Sequence, residues 1–245
     1  MQLTFVGSGD AFGSGGRLNT CFHVCAARTR FLIDCGASSL IGMNRLGIDR
    51  GAIDTILLTH FHADHAGGIP FFVLDAQFNT RRTRALTIAG PEGLREWYVQ
   101  ALETGYAGAS KTRQQFDLNL VELAPGERRL LGDLAVCPAR VRHGRTDGPF
   151  FAYRIEIDGR TIAYSGDTEW VEGLIEIGRD ADLFICESYS FDKKVPLHID
   201  YVTLAANLPR IQPKRLILTH MSEAMLKRAG GTGCEVADDG LTIDL

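Results

Sequence analysis

The chain has 245 residues, 45% of them hydrophobic, with 26 basic against 30 acidic side chains and a formal charge of −4. That size fits one large α/β domain with a sizeable core, and the charge argues against a generally basic nucleic-acid binder while leaving room for a local patch. No apolar run approaches the ~20 residues that span a membrane, and Met1-Gln2-Leu3-Thr4-Phe5-Val6 reads as a first strand rather than a secretion leader.

After that strand comes the Gly-rich run from Gly7 to Gly16. It leads through Arg17-Leu18-Asn19 into another strand, not a helix, so a dinucleotide-binding loop fails its structural context. A loop rimming an active site is expected instead. Strands are predicted over 20–26 and 30–34, a helix over 36–46 and a strand over 55–58. Arg81, Arg82 and Arg84, the densest basic cluster, precede a strand at 85–88 and read either as a solvated loop or as a landing site for phosphate. Pro91 starts a helix predicted over 91–102, and 104–117 reads as loop. Strands follow at 134–139 and 150–157, the second joined to 160–164 by Asp158-Gly159, a strong two-residue hairpin signal. A helix at 170–177, a strand at 182–186, a helix at 200–208 and a strand at 215–219 complete the order. The six cysteines are scattered mostly through strand-like segments, which suits reduced thiols and a cytoplasmic protein.

The most informative stretch is Thr59-His60-Phe61-His62-Ala63-Asp64-His65, which puts three of the chain's seven histidines and a carboxylate directly after an apolar strand. Two histidines two apart can pinch one ion, and the Asp and third His, displaced by the turn, can hold a second. Imidazole and carboxylate suit zinc and similar ions. Three more strand ends carry ligand types: His143 after 134–139, Asp167 in Tyr164-Ser165-Gly166-Asp167-Thr168, and His220 closing Leu216-Ile217-Leu218-Thr219-His220. A lone histidine after a strand is more often an ordinary core or loop residue. Four strand ends with ligands, one of them with four, point to a metal site.

These residues make the chain resemble the metallo-β-lactamase superfamily from about Leu3 to His220. The resemblance implies an α/β fold, an αββα four-layer sandwich, with residues 1–245 as a single hydrolase domain. It also implies two metal ions, the first held by His60, His62 and His143, the second by Asp64, His65 and His220, with Asp167 bridging. His62 stands where the flavo-diiron branch uses Glu, which favours hydrolytic zinc, with Mn2+ or Fe2+ able to use the same ligands. Two such ions would lower the pKa of a shared water and aim the bridging hydroxide at phosphorus. Within the superfamily, Val141-Arg142-His143, Tyr164–Thr168 and Leu218-Thr219-His220-Met221-Ser222 are similar to the ribonuclease Z-like phosphodiesterases. There an acid after one strand pairs with a histidine before the next helix, and the histidine protonates the leaving group. Glu187 and His198 fill those positions, so the expected catalytic set is Asp64, Glu187 and His198, with Glu187 raising the imidazole's pKa. Ile199 and Asp200 depart from the small and hydroxyl residues that usually follow this histidine.

Some related phosphodiesterases of phosphonate catabolism carry a further zinc on N-terminal cysteines. Cys21 and Cys25 are not spaced as a standard pair, though on a strand they share a face. The span from Leu102 to Leu134, about thirty residues and in part expected as strand, holds no Gly-Pro-rich basic arm of the kind that grips tRNA in ribonuclease Z. Small or cyclic phosphodiesters, such as cyclic nucleotides or sugar cyclic phosphates, or oligonucleotides are therefore expected as substrates. A tRNA 3′-processing endonuclease is the alternative, and a lactone or thioester hydrolase the third. The Glu187/His198 pair has less use in that third class, because a thiolate leaves without a proton. The ribonuclease Z resemblance also suggests a homodimer.

Overall fold

Runs such as Thr161-Ile162-Ala163-Tyr164 and Leu183-Phe184-Ile185-Cys186 are apolar on both faces, the pattern of strands covered from two sides. The computed structural model, which describes residues 1–144 and 148–245, places them accordingly. The first half contributes β1 (Gln2–Gly7), β2 (Cys21–Cys25), β3 (Arg30–Ile33), β4 (Thr55–Leu57), β5 (Leu86–Gly90) and β6 (Leu118–Glu122), with helices α1 (Ser39–Arg45), α2 (Ala63–Ala66), α3 (Ile69–Leu74) and α4 (Leu94–Gly105). The second contributes β7 (Arg129–Leu131), β8 (Leu134–Arg140), β9 (Phe151–Ile157), β10 (Arg160–Tyr164), β11 (Leu183–Glu187), β12 (Leu216–Thr219) and β13 (Glu235–Val236), with α5 (Gly173–Gly178), α6 (Tyr201–Ile211) and α7 (Glu223–Leu226). The last strand, β14 (Thr242–Asp244), returns to pair with β1. The described residues thus form two seven-stranded sheets, ordered β14-β1-β2-β3-β4-β5-β6 and β13-β12-β11-β10-β9-β8-β7.

The sheets pack face to face through Leu3, Phe5, Phe22, Phe31 and Ile33 on one side and Val136, Tyr153, Ile155, Tyr164 and Ile185 on the other. The outer face of the first sheet (Leu32, Ile56, Ile88) is covered by Met43, Ile69, Phe72 and Leu94, and that of the second (Ala163, Phe184, Leu218) by Leu174, Leu204 and Ile211. This is the αββα sandwich the sequence predicts. Tyr153 ties the two sheets directly by donating its hydroxyl to the Leu58 carbonyl at 2.6 Å.

Most elements lie where the sequence puts them, and the departures have local causes. The Asp158-Gly159 hairpin forms with both residues at positive φ, 51° and 71°, as its turn type demands. α6 continues past Pro209 to Ile211 instead of stopping at Leu208, because Ile211 is buried in the core and Gln212 caps the helix in the left-handed region. The helix expected from Trp170 starts only at Gly173, the Trp170 indole donating instead to Glu172. The span 102–134 is taken up by the end of α4, a single 3₁₀ turn (Ala109–Lys111) and the sheet strands β6 and β7.

β3 to β6 run parallel to one another, as do β10 to β13. β8 is antiparallel to β9, which is antiparallel to β10, so β8 shares the direction of β10. The C-terminal ends of β3, β4, β8, β10, β11 and β12 carry Asp34, His60, His143, Asp167, Glu187 and His220. Carboxyl ends of strands are where α/β sheets build their sites.

Candidate metal centre

The Thr59–His65 run is shaped by a strand that turns straight into a short helix. His62 is the N-cap of α2, so Asp64 and His65 lie in the helix's first turn and are rotated away from His60 and His62. The loop after β3 packs against this helix so closely that a Cβ on Gly36 would come within 2.2 Å of the Asp64 carbonyl oxygen. Gly166 has a comparable task beside Asp167: its φ is +58°, and a Cβ there would meet the Phe151 carbonyl at 2.4 Å.

All seven ligand residues expected from the sequence converge. The donor atoms of His60, His62 and His143 lie within 4.8 Å of one another, as do those of Asp64, His65, Asp167 and His220. Asp167 reaches both groups, its Oδ2 3.5 Å from His143 Nε2 and 3.1 Å from His220 Nε2, its Oδ1 3.3 Å from His65 Nε2. His62 Nδ1 faces His143 Nε2 at 3.2 Å. All seven are buried except His62, which is exposed and so marks the open side of the site.

In four of the five rings the other nitrogen is engaged. His65 Nδ1 contacts Asp34 Oδ2 at 2.7 Å. His60 Nδ1 lies 3.0 Å from Thr59 Oγ1, whose own proton is committed to Asp34, so the imidazole is the donor there. His143 Nδ1 donates to the Leu197 carbonyl at 2.9 Å, and His220 Nδ1 lies 3.3 Å from Thr20 Oγ1. These four rings are thereby held in the tautomer that leaves Nε2 facing inward. Buried His60 Nε2, His65 Nε2 and Asp167 Oδ1 find no hydrogen-bond partner. Orphaned buried polar atoms are costly, and three of them turned into one imidazole- and carboxylate-lined space fit a site built for divalent cations.

The electrostatics follow from burial and the shared carboxylate. Burial pushes His60 well below the ordinary imidazole range and lowers His62 and His143 as well. Burial opposes charge on His65 and His220 too, but Asp167 lifts both above it. Glu187 and His198 meet as expected, His198 Nδ1 lying 2.8 Å from Glu187 Oε2. The expected pKa effect is reversed, however. Burial outweighs the neighbouring carboxylates and lowers His198, while burial and repulsion from Asp167 raise Glu187 well above the usual carboxylate range.

Several residues at the site escape a reading for ligand types. Asp34 is fully buried, has φ +58°, and supports one histidine of each ligand group, His65 directly and His60 through Thr59. Its signal was there: Arg30-Phe31-Leu32-Ile33-Asp34 is one more buried strand ending in an acid. Leu197, whose carbonyl holds His143, takes φ +70°, a conformation rare for a leucine. The Gly-rich loop does reach the site, since Ser8 accepts a hydrogen bond from the His220 backbone amide. Asp239 pins that loop by accepting from Ser8 and Leu18.

Of the arginine cluster, Arg81 is exposed and the other two are engaged within the chain. Arg82 is buried and donates to the carbonyls of Arg50, Gly51, Ile53, Arg84 and Ala85, and Arg84 pairs with Asp54. Among the described residues, no metal-type grouping includes Cys21 or Cys25.

The model of the family described as anti-Pycsar protein Apyc1 matches residues 1–237. Ribonuclease Z of Methanothermobacter thermautotrophicus is 28% identical over 303 residues, covering 100% of this chain and 97% of the relative. Because that comparison runs over more positions than this chain has residues, the relative carries segments absent here. The crystal structure of human tRNase Z, short form, superposes with a TM-score of 0.80 at 25% identity, covering 100% of this chain and 99% of the other. The metallo-β-lactamase fold protein YhfI of Bacillus subtilis superposes with a TM-score of 0.78 at 18% identity, with 99% of each chain covered. The fold is that of the metallo-β-lactamases, and the chain's relatives are ribonuclease Z-like.

Proposed function

This chain belongs to the anti-Pycsar protein Apyc1 family, and from that premise we propose that it is a phosphodiesterase of small or cyclic phosphodiesters, working as one domain with two divalent ions, zinc by preference. One observation carries the reading. His198, seated on Glu187 at 2.8 Å, brings a donor atom within 4.8 Å of those of His143 and Asp167, so a proton donor stands beside the ion ligands. An alkoxide leaving group needs that proton, and a thiolate does not.

His60, His62 and His143 would hold one ion and Asp64, His65 and His220 the other, with Asp167 shared. When bound, the ions supply an activated water and charge neutralisation at the phosphoryl oxygens. The chain's own residues do the rest. Asp34 and Thr59 keep His60 and His65 from turning, and Leu197 does the same for His143. Glu187 accepts the Nδ1 proton of His198 and leaves Nε2 for the leaving oxygen. The negative charge of the substrate offsets the burial that otherwise disfavours the imidazolium. Phe150 packs over the rings of His60, His62 and His143 at 5.4–5.8 Å between centroids and keeps water from that flank.

The relatives named ribonuclease Z favour a second reading, tRNA 3′ processing. Against it stands the shortness of the span 102–134, which holds the end of α4, one 3₁₀ turn, β6 and β7. The six unpaired cysteines suit a reducing compartment such as the cytoplasm. A homodimer belongs to this reading too, since Ile41, Phe71, Val99 and Tyr106 leave apolar surface exposed on the helices over the first sheet.

The test is turnover by zinc-loaded protein of bis(p-nitrophenyl) phosphate against a panel of lactones and thioesters. Phosphodiester turnover is the expected result. Turnover confined to the lactones or thioesters would move the protein to the carboxylic-ester branch.

A further inference from the structure

We propose that Tyr189 is a positioning residue for the proton-donating imidazole of His198, an inference that rests on the phosphodiesterase reading. Tyr189 lies two residues beyond Glu187 and plays no part in the ligand set. Its ring stacks on His198 with centroids 4.5 Å apart and planes 24° from parallel. On the other side, His198 and His220 lie 5.8 Å apart at 16°, and Tyr189 and His220 6.4 Å apart at 40°, so the three planes open as a fan with His198 in the middle. His143 meets the His198 ring edge-on at 4.8 Å and 71°.

The hydrogen bond to Glu187 fixes one atom of His198 but not the tilt of the ring about it. Tyr189 supplies that missing constraint, and its own position is tied at both ends. Its backbone amide donates to the Ile199 carbonyl, in the loop that carries His198, and its carbonyl accepts from the Ser222 amide, in the turn that carries His220, each at 3.0 Å. The phenol ring is half-buried rather than sealed in the core. A proton donor misplaced by about 1 Å loses much of its effect.

A merely structural role and a role through His198 separate by leaving group. Departure of p-nitrophenolate needs little protonation, whereas phenolate needs it far more. The experiment compares kcat and KM of zinc-loaded wild type, Tyr189→Phe, Tyr189→Leu and His198→Ala on bis(p-nitrophenyl) phosphate and on diphenyl phosphate, with bound metal and thermal unfolding measured for each. We expect Tyr189→Leu to lose ~10- to 30-fold in kcat on diphenyl phosphate but no more than ~3-fold on the nitrophenyl ester, with KM and metal content unchanged. Tyr189→Phe keeps the ring and is expected within ~3-fold of wild type on both. His198→Ala should show the same selectivity more strongly. Equal losses of Tyr189→Leu on both substrates, or none on either, overturn the proposal. If His198→Ala itself fails to discriminate, the proton-donor reading has failed and the proposal goes with it. If only Tyr189→Leu fails to do so, that reading stands without Tyr189.

Discussion

At the scale of single residues, the convergent histidines and aspartates were legible because metal chemistry restricts candidate ligands to a few side-chain types, and a strand ending in His-x-His-x-Asp-His has few other uses. The groups that aim those ligands were not. Asp34, Thr20 and the Leu197 carbonyl are ordinary in type and act through a few hydrogen bonds across the fold. Asp34 is the most consequential of them, because one carboxylate orients a histidine on each side of the centre. We predict that Asp34→Ala lowers zinc affinity about 10- to 100-fold, read by competition with a chelating dye. An unchanged affinity would remove Asp34 from the account. The reversal of the expected shift at His198 has the same origin, since a sequence gives the partner of an imidazole but not how deeply both are buried.

At the scale of elements, strands flanked by strong signals were placed to within a residue or two. Missed were α2 and α3 and the terminal β13 and β14, while β6 and β7 fall in the span 102–134, part of which was expected as strand without bounds. All are short, and β14 depends on a partner at the other end of the chain, β1. β2 offers an element-level prediction that is independent of the metal centre. Burial, reinforced by Arg30, pushes His23 down to about 4, and its Nε2 is buried without a partner. The folded chain thus holds His23 neutral, while the unfolded chain protonates it below its ordinary value near 6.5. Stability from this group is complete above pH 6.5 and drains away as the pH falls toward 4. After discounting for its partial exposure, we expect the metal-free wild type to lose about 1 kcal/mol more than His23→Gln between pH 7.5 and pH 5 in urea unfolding. Parallel losses in the two proteins would contradict the assignment.

At the scale of the whole molecule, the centre is a clamp between halves. His60, His62, Asp64 and His65 follow β4 of the first sheet, whereas His143, Asp167 and His220 follow strands of the second. Ions held at that seam would stabilise the packed sheets as well as serve the chemistry. At zinc about 1,000-fold above its dissociation constant, linkage adds ~4 kcal/mol per site, so stripping with a chelator should lower Tm by roughly 8–16 °C for each ion lost from a chain of this size, with recovery on adding zinc back. A Tm indifferent to chelation would mean that the ligands do not gather an ion. Substrate choice belongs to this scale as well, because it depends on what surrounds the open side at His62. The decisive measurement runs the zinc-loaded protein on 3′,5′-cyclic nucleotides and on a 3′-extended precursor tRNA side by side. The account predicts opening of the cyclic phosphodiester with little or no cleavage of the tRNA; efficient tRNA cleavage with cyclic nucleotides left intact would contradict it.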